Sequence, residues 1–143
     1  WFRTSAKRLL MSIINNIKKK GKDISILEGM DRIQYLVDLA NQVPPLANKH
    51  KINENKIRGC ASNLWVVGEM NRSNKMYYEY DADAFITKGT ARLVIDLVDQ
   101  QPKDEIAKLT PEDFSPLGIK EILSPQRQNG LGNLIARIVG LAQ

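Results

Sequence analysis

The stretch LWVVGEMNRSNKMYYEY, residues 64–80, sets the fold class. Leu64, Trp65, Val66 and Val67 form a short apolar run rich in β-formers. Met76, Tyr78 and Tyr80 alternate with Tyr77 and Glu79, the period of a half-buried strand. Between them NRSNK (71–75) has the composition of a turn. Two antiparallel strands joined as a hairpin are expected. An isolated hairpin is marginal in water, so a third strand is expected before Gly59, around Lys56 to Arg58.

On both sides of this stretch the period is helical. Leu9, Leu10, Ile13, Ile14 and Ile17 predict a short N-terminal helix, with Lys18 to Lys22 as its frayed end. In SILEGMDRIQYLVDLANQVPP (25–45), Ser25 and Glu28 have capping-box spacing. Leu27, Met30, Ile33, Val37 and Ala40 then recur at steps of three and four, and Pro44 and Pro45 end the helix. LANKHKINENK (46–56) is polar and reads as a loop. After the hairpin, DADAFITKGTARLVIDLVDQ (81–100) predicts a helix capped by Asp81 or Asp83, with Phe85, Ile86, Leu93, Val94, Leu97 and Val98 on one broad face. Gly89 within it costs roughly 1 kcal/mol against Ala, so another backbone is expected to pass close by. Pro102 opens a short helix, and Thr110, Pro111 and Asp113 another. Ser124 and Pro125 cap and start the last one, whose Leu131, Leu134, Ile135, Ile138 and Val139 face inward. The order is helix, small antiparallel sheet, then several helices. It predicts an α+β domain with a small three-stranded antiparallel sheet and helices packed on one face.

The bulk numbers narrow the function classes. A chain of 143 residues fits one domain with one core, and 43% hydrophobic with 26% charged residues is an ordinary globular composition. No apolar run approaches the ~18–20 residues of a membrane span, so a soluble protein with no membrane partner is expected. The net charge of +5 is local: seven of the 21 basic residues fall within residues 1–22, with no acidic one, which leaves 14 basic against 16 acidic in the rest. Residues 1–22 therefore read as a basic lead and residues 23–143 as the folded domain. A slightly acidic body with no basic stripe and interleaved aromatics argues against nucleic acid as a partner. The chain opens on Trp1, and Met11 reads as a plausible start of an incomplete or mis-started chain. Residues 3–22 lack the apolar stretch and small-residue cleavage site of a signal peptide.

One cysteine excludes an internal disulfide and a CxxC pair, and with one histidine it leaves no credible zinc site. No resident metal is expected. A lone free thiol suits a reducing compartment, hence the cytoplasm. That cysteine, Cys60, sits between Gly59 and the small residues Ala61 and Ser62, just ahead of the apolar run. Gly59 lets the backbone turn, and small neighbours let a thiol be exposed or swing. A thiolate is the nucleophile, and a cation or a helix N-terminus lowers the pKa that governs it. Arg58 is two residues away, and Arg127 lies in the first turn of the last helix; either would serve if the fold brought it close. The competing reading is packing, because free cysteine is among the most buried residue types.

Three blocks carry a family resemblance. GCASNLW (59–65) resembles the motif GCxSxxW of the SufE/CsdE sulfur-acceptor proteins, DADAFITKG (81–89) resembles that family's DSDAxIVKG, and LSPQRQNGL (123–131) its LTPSRxxGL, in the same order and with matching gaps. The amphipathic helix ending in Pro-Pro is similar to the family's opening helix. The resemblance runs from about residue 24 to 142 and leaves only the basic lead outside. It implies the fold that SufE proteins share with IscU-type scaffolds. It also implies a protein that is not itself an enzyme and needs no cofactor of its own, but takes persulfide sulfur from a SufS-type, pyridoxal-phosphate cysteine desulfurase and speeds that enzyme's turnover. The sulfur then passes to a SufBCD-type scaffold for iron–sulfur cluster assembly.

On this resemblance Cys60 matches the persulfide carrier and Arg127 the arginine of the third block, expected to orient or stabilise the sulfur anion. Gly59 and Ser62 would give the Cys60 loop its freedom. Asp83 matches an aspartate of the second block, for which a helix N-cap is the simpler role. One departure stands out: EGMDRIQYL (28–36) lacks the tryptophan that the family's opening helix often carries, which bears on docking rather than on transfer. The alternatives are an accessory binding protein whose cysteine is structural, and a cluster scaffold without sulfur carriage. A scaffold normally needs several thiolates, so one cysteine would require a homodimer, which the sequence leaves open. A Cys60–His50 hydrolytic dyad lacks a third group to orient the imidazole.

Overall fold

The computed structural model describes residues 2–60 and 62–143, with side chains from Ser12 onward. Five α-helices and one hairpin make up the frame: α1 (Phe2–Ser25), α2 (Met30–Asn41), β1 (Leu64–Met70), β2 (Met76–Ala82), α3 (Phe85–Val98), α4 (Lys103–Ala107) and α5 (Pro125–Leu141). Short 3-10 turns at Asn48–His50, Asn53–Asn55, Pro111–Leu117 and Ile119–Ile122 fill the connections. The α+β class read from the sequence holds.

The hairpin pairs Leu64 with Ala82 and Met70 with Met76. Its turn closes on Asn71, whose side-chain oxygen accepts from the backbone N–H groups of Ser73 and Lys75, both at 2.9 Å. Leu64, Val66, Met76 and Tyr78 are buried on one face, as the alternation requires. Tyr78 lies across Gly68 and donates its hydroxyl to the Ile138 carbonyl at 3.0 Å, which ties the sheet to α5.

Among the described residues the sheet has two strands, not three. The segment expected to supply the third makes a single antiparallel bridge, Lys56 to Trp65, with Ile57 N–H donating to the Leu64 carbonyl at 2.8 Å. The 3-10 turn Asn53–Asn55 ends immediately before it, and Gly59 turns away immediately after it at φ 80°. A ladder has no room to extend between those two breaks.

Two helices differ from expectation, α1 at its end and α2 at its start. α1 does not fray at its lysines but runs through residue 22, with Ile13, Ile17 and Ile24 in the same core as the rest of the chain. Gly21 allows this, since a Cβ there would run into the Pro116 carbonyl of the neighbouring 3-10 turn. The side chains of Leu9 and Leu10, expected on the same face, lie outside the described residues. α2 begins at Met30, after Gly29 at φ 55°, and the Ser25 hydroxyl instead donates to the Lys22 carbonyl at the end of α1. Gly89 marks the crossing of α2 and α3, where a Cβ would collide with the Leu36 carbonyl. Ser124 accepts from Arg127 N–H and Pro125 takes the first helical position of α5, as read from the sequence.

Candidate functional site

Cys60 follows the turn at Arg58–Gly59, at the sheet end where β1 begins and α3 and α5 converge. Its neighbour Ala61 lies outside the described residues. The thiol is half-buried and free. It lines a small pocket with Leu64 of β1, Thr87 and Thr90 of α3, Leu123, and Arg127, Gly130, Leu131 and Leu134 of α5. The cavity measures about 20 Å³, room for one water-sized group.

The pocket arises from local chain chemistry. Ser124 and Pro125 start α5 so that Arg127 falls in its first turn and Gly130 one turn later. A Cβ on Gly130 would lie 2.6 Å from Cys60 Sγ, so glycine alone leaves the space that the thiol occupies. Two side-chain bonds fasten the Cys60 segment to the start of α3. The Ser62 hydroxyl donates to Thr87 Oγ1 at 2.8 Å, and Asn63 Nδ2 donates to Asp83 Oδ2 at 2.6 Å.

The electrostatics run against the lowered thiol pKa expected from Arg58 or Arg127. Burial pushes the Cys60 thiol up, because much of the pocket wall is leucine. Arg58 is exposed and is held through its carbonyl rather than its guanidinium. Arg127 does line the pocket, and its Nε is buried with no hydrogen-bond partner among the described residues. An orphaned buried N–H costs free energy unless an acceptor arrives, so at rest the site holds a donor and a protonated thiol.

Cys60, Ser62 and Arg127 therefore come together, and Gly59 makes the turn beside them. Asp83 stands one step back. It is not the N-cap of α3, a position Ala84 holds without a side-chain bond, but the acceptor for Asn63. Asp81, the other candidate cap, is buried at 5% exposure and binds Lys88 at 3.0 Å, Lys51 at 3.1 Å and the Leu46 N–H at 3.0 Å. His50 lines a different depression, with Lys49, Val67, Glu69 and Tyr77. Sequence reasoning does not single out Thr87, Thr90 or Gly130; Thr87 and Gly130 lie inside two of the three blocks, which is the available signal.

Comparison with known proteins bears on the same blocks. The family model SufE, described as an Fe-S metabolism associated domain, matches residues 19–142. The chain belongs to the SufE family. A SufE-like protein of Rhizobium etli, itself uncharacterized, is 38% identical over 112 residues, covering 76% of each chain. SufE-like protein 1, chloroplastic/mitochondrial, of Arabidopsis thaliana is 34% identical over 111 residues, 78% of this chain but 30% of the plant protein's length. A hypothetical protein of Thermus thermophilus, solved in solution, shares the SufE-like fold at a TM-score of 0.72 and 19% identity, over 88% of this chain and 92% of that one. Membership associates the protein with iron–sulfur metabolism. Among the described residues no helix is long and apolar enough to cross a membrane.

Proposed function

We propose that this SufE-family protein accepts sulfane sulfur on Cys60 from the persulfide of a SufS-type, pyridoxal-phosphate cysteine desulfurase. It stimulates that enzyme by clearing the persulfide, and it delivers the sulfur to a SufBCD-type scaffold. In the transfer, the Cys60 thiolate attacks the outer sulfur of the partner persulfide. A sulfur–sulfur bond forms at Cys60 as the one in the partner breaks, and the electron pair leaves on the partner thiolate. The proton lost by Cys60 balances that thiolate, and neither oxidant nor reductant is consumed.

The observation that carries this reading is the orphaned Nε of Arg127 in the Cys60 pocket. A neutral thiol cannot use a charged donor well, whereas a persulfide anion can accept from it in a charge-assisted bond. The leucine walls limit the approach of other thiols that would discharge the sulfur. Gly59 supplies the turn, and Ser62 and Asp83 tether it to α3. A reducing compartment such as the cytoplasm keeps the lone thiol available.

A second reading is favoured by one observation: a half-buried thiol that burial pushes up is also what a structural cysteine shows. The protein would then bind and activate a desulfurase without carrying sulfur. Intact-mass spectrometry after incubation with a SufS-type desulfurase and cysteine separates the two. A gain of whole sulfur atoms, removed by reductant and absent in Cys60→Ser, is the expected result. Activation that survives Cys60→Ser without any mass gain overturns the carrier reading.

A further inference from the structure

Gly130, Asn133 and Arg137 lie three and four residues apart on one face of α5. That face meets the chain leading to Cys60 in reverse order. The Arg137 guanidinium donates to the Glu54 carbonyl at 3.0 Å and the Lys56 carbonyl at 3.4 Å. Asn133 Nδ2 donates to the Arg58 carbonyl at 2.7 Å. Gly130 lies under Cys60, where a Cβ would stand 2.6 Å from Sγ and 3.3 Å from Cα. Three of these contacts grip backbone carbonyls, so they fix the path of the chain whatever its side chains are.

The grip divides at the turn. Arg137 anchors the chain up to Lys56, and Gly59 at φ 80° provides the bend just before Cys60. The Asn133 contact lies between anchor and bend. Its hydrogen bond is exposed, so water or a docking partner's donor can replace it. Gly59 also fits this contact closely, because a Cβ there would lie 2.7 Å from Asn133 Nδ2.

We propose that Asn133 and Gly130 are positioning residues for Cys60: Gly130 is the seat that holds the thiol, and Asn133 is the latch that, through the Arg58 carbonyl, fixes the Arg58–Gly59 turn that keeps the thiol there. The proposal deepens the sulfur-carrier reading and rests on it for its purpose. Its geometry does not depend on what Cys60 carries.

Iodoacetamide labelling of the whole chain alone, with no desulfurase, tests it. Asn133→Ala is expected to label Cys60 about two- to tenfold faster at fixed pH, the range that one lost hydrogen bond gives. The midpoint of its labelling pH profile is expected to move down toward the ordinary thiol value, since the released thiol is no longer buried. Gly130→Ala is expected to label faster as well, because its methyl group fills the seat. Asn133 is exposed, so its replacement leaves the core intact and decides the matter even where Gly130→Ala does not fold. A purely structural Asn133 would lower the melting temperature and leave both rate and midpoint unchanged, and that result overturns the proposal. A chain that labels faster in Asn133→Ala yet takes up no sulfur from a desulfurase keeps the latch and loses the carrier reading.

Discussion

The Ser62 hydroxyl donates to Thr87 Oγ1 at 2.8 Å, joining the segment that carries Cys60 to the first turn of α3. Thr87 is buried, so its oxygen has little access to water as a substitute partner. One such bond contributes about 0.5–1.5 kcal/mol, and a stranded partner costs more. Ser62→Ala and Thr87→Val are each expected to lower stability by about 1 kcal/mol. The double variant is expected to lose no more than the larger single loss, because both remove the same bond. Urea midpoints in the four-member cycle check this, and simple additivity would show that the two hydroxyls do not act as a pair.

Two glycines in helices are expected to respond to alanine with opposite signs. At Gly89 the new methyl group would collide with the Leu36 carbonyl where α2 crosses α3. Overpacking against backbone costs about 1–3 kcal/mol, which outweighs the roughly 1 kcal/mol that alanine gains in helix propensity. Gly132 in α5 faces open space, with nothing within 4 Å of its Cβ position. Gly132→Ala is therefore expected to stabilise by about 0.5–1 kcal/mol. Thermal denaturation of both variants measures the signs directly.

The parts of this fold that are legible in the sequence are those whose signals are local. The hairpin shows in the period-two alternation at Met76, Tyr78 and Tyr80, and the start of α5 in Ser124 and Pro125. Gly89 is readable because a glycine on an apolar helix face has few other uses. What escapes depends on contacts distant in sequence. Asp81 and Asp83 look like helix caps locally, yet they are claimed by Lys51, Leu46 and Asn63. α1 outlasts its lysine cluster because Ile24 joins the common core and Gly21 docks against the 3-10 turn at Pro111–Leu117, more than ninety residues away. Cys60 is conspicuous as the one cysteine, but its apolar pocket comes from α3 and α5, so burial reverses the expected direction of its pKa.

Asp81 makes stability depend on acid. Burial alone would raise its pKa, but the Leu46 N–H, the Lys88 and Lys51 ammonium groups and the Ala82 N–H more than offset that and hold it at about 2. A carboxylate whose pKa is lower when folded contributes stability that is complete above its unfolded value of about 3.9 and is lost as pH falls through the folded value. The contribution is roughly 2 kcal/mol. Wild-type urea midpoints are expected to fall between about pH 5 and pH 2. Asp81→Asn is expected to be less stable at pH 7, since it leaves two lysines without their carboxylate, and to show a flatter slope over that window. Equal slopes in the two proteins would assign the acid sensitivity to other carboxylates.

Arg127 offers the sharpest test of what the pocket is for. An arginine kept for structure stabilises the resting protein, and its removal costs stability. Here the buried Nε has no partner among the described residues, so in the resting state it is a cost rather than a support. Arg127→Met removes that orphaned donor. The thiol form of the variant is expected to be as stable as wild type or more so, by up to about 1 kcal/mol. The persulfide form should behave in the opposite way, because the anion loses a charge-assisted donor in a leucine-lined cavity. After loading by a desulfurase, the variant is expected to carry less persulfide at equilibrium, by about tenfold, and to release it faster to a competing thiol. Melting temperature of the unloaded protein and the persulfide fraction by intact mass give the two readouts. A variant that melts lower but loads normally would make Arg127 a structural residue and leave the sulfur anion to be held by something else.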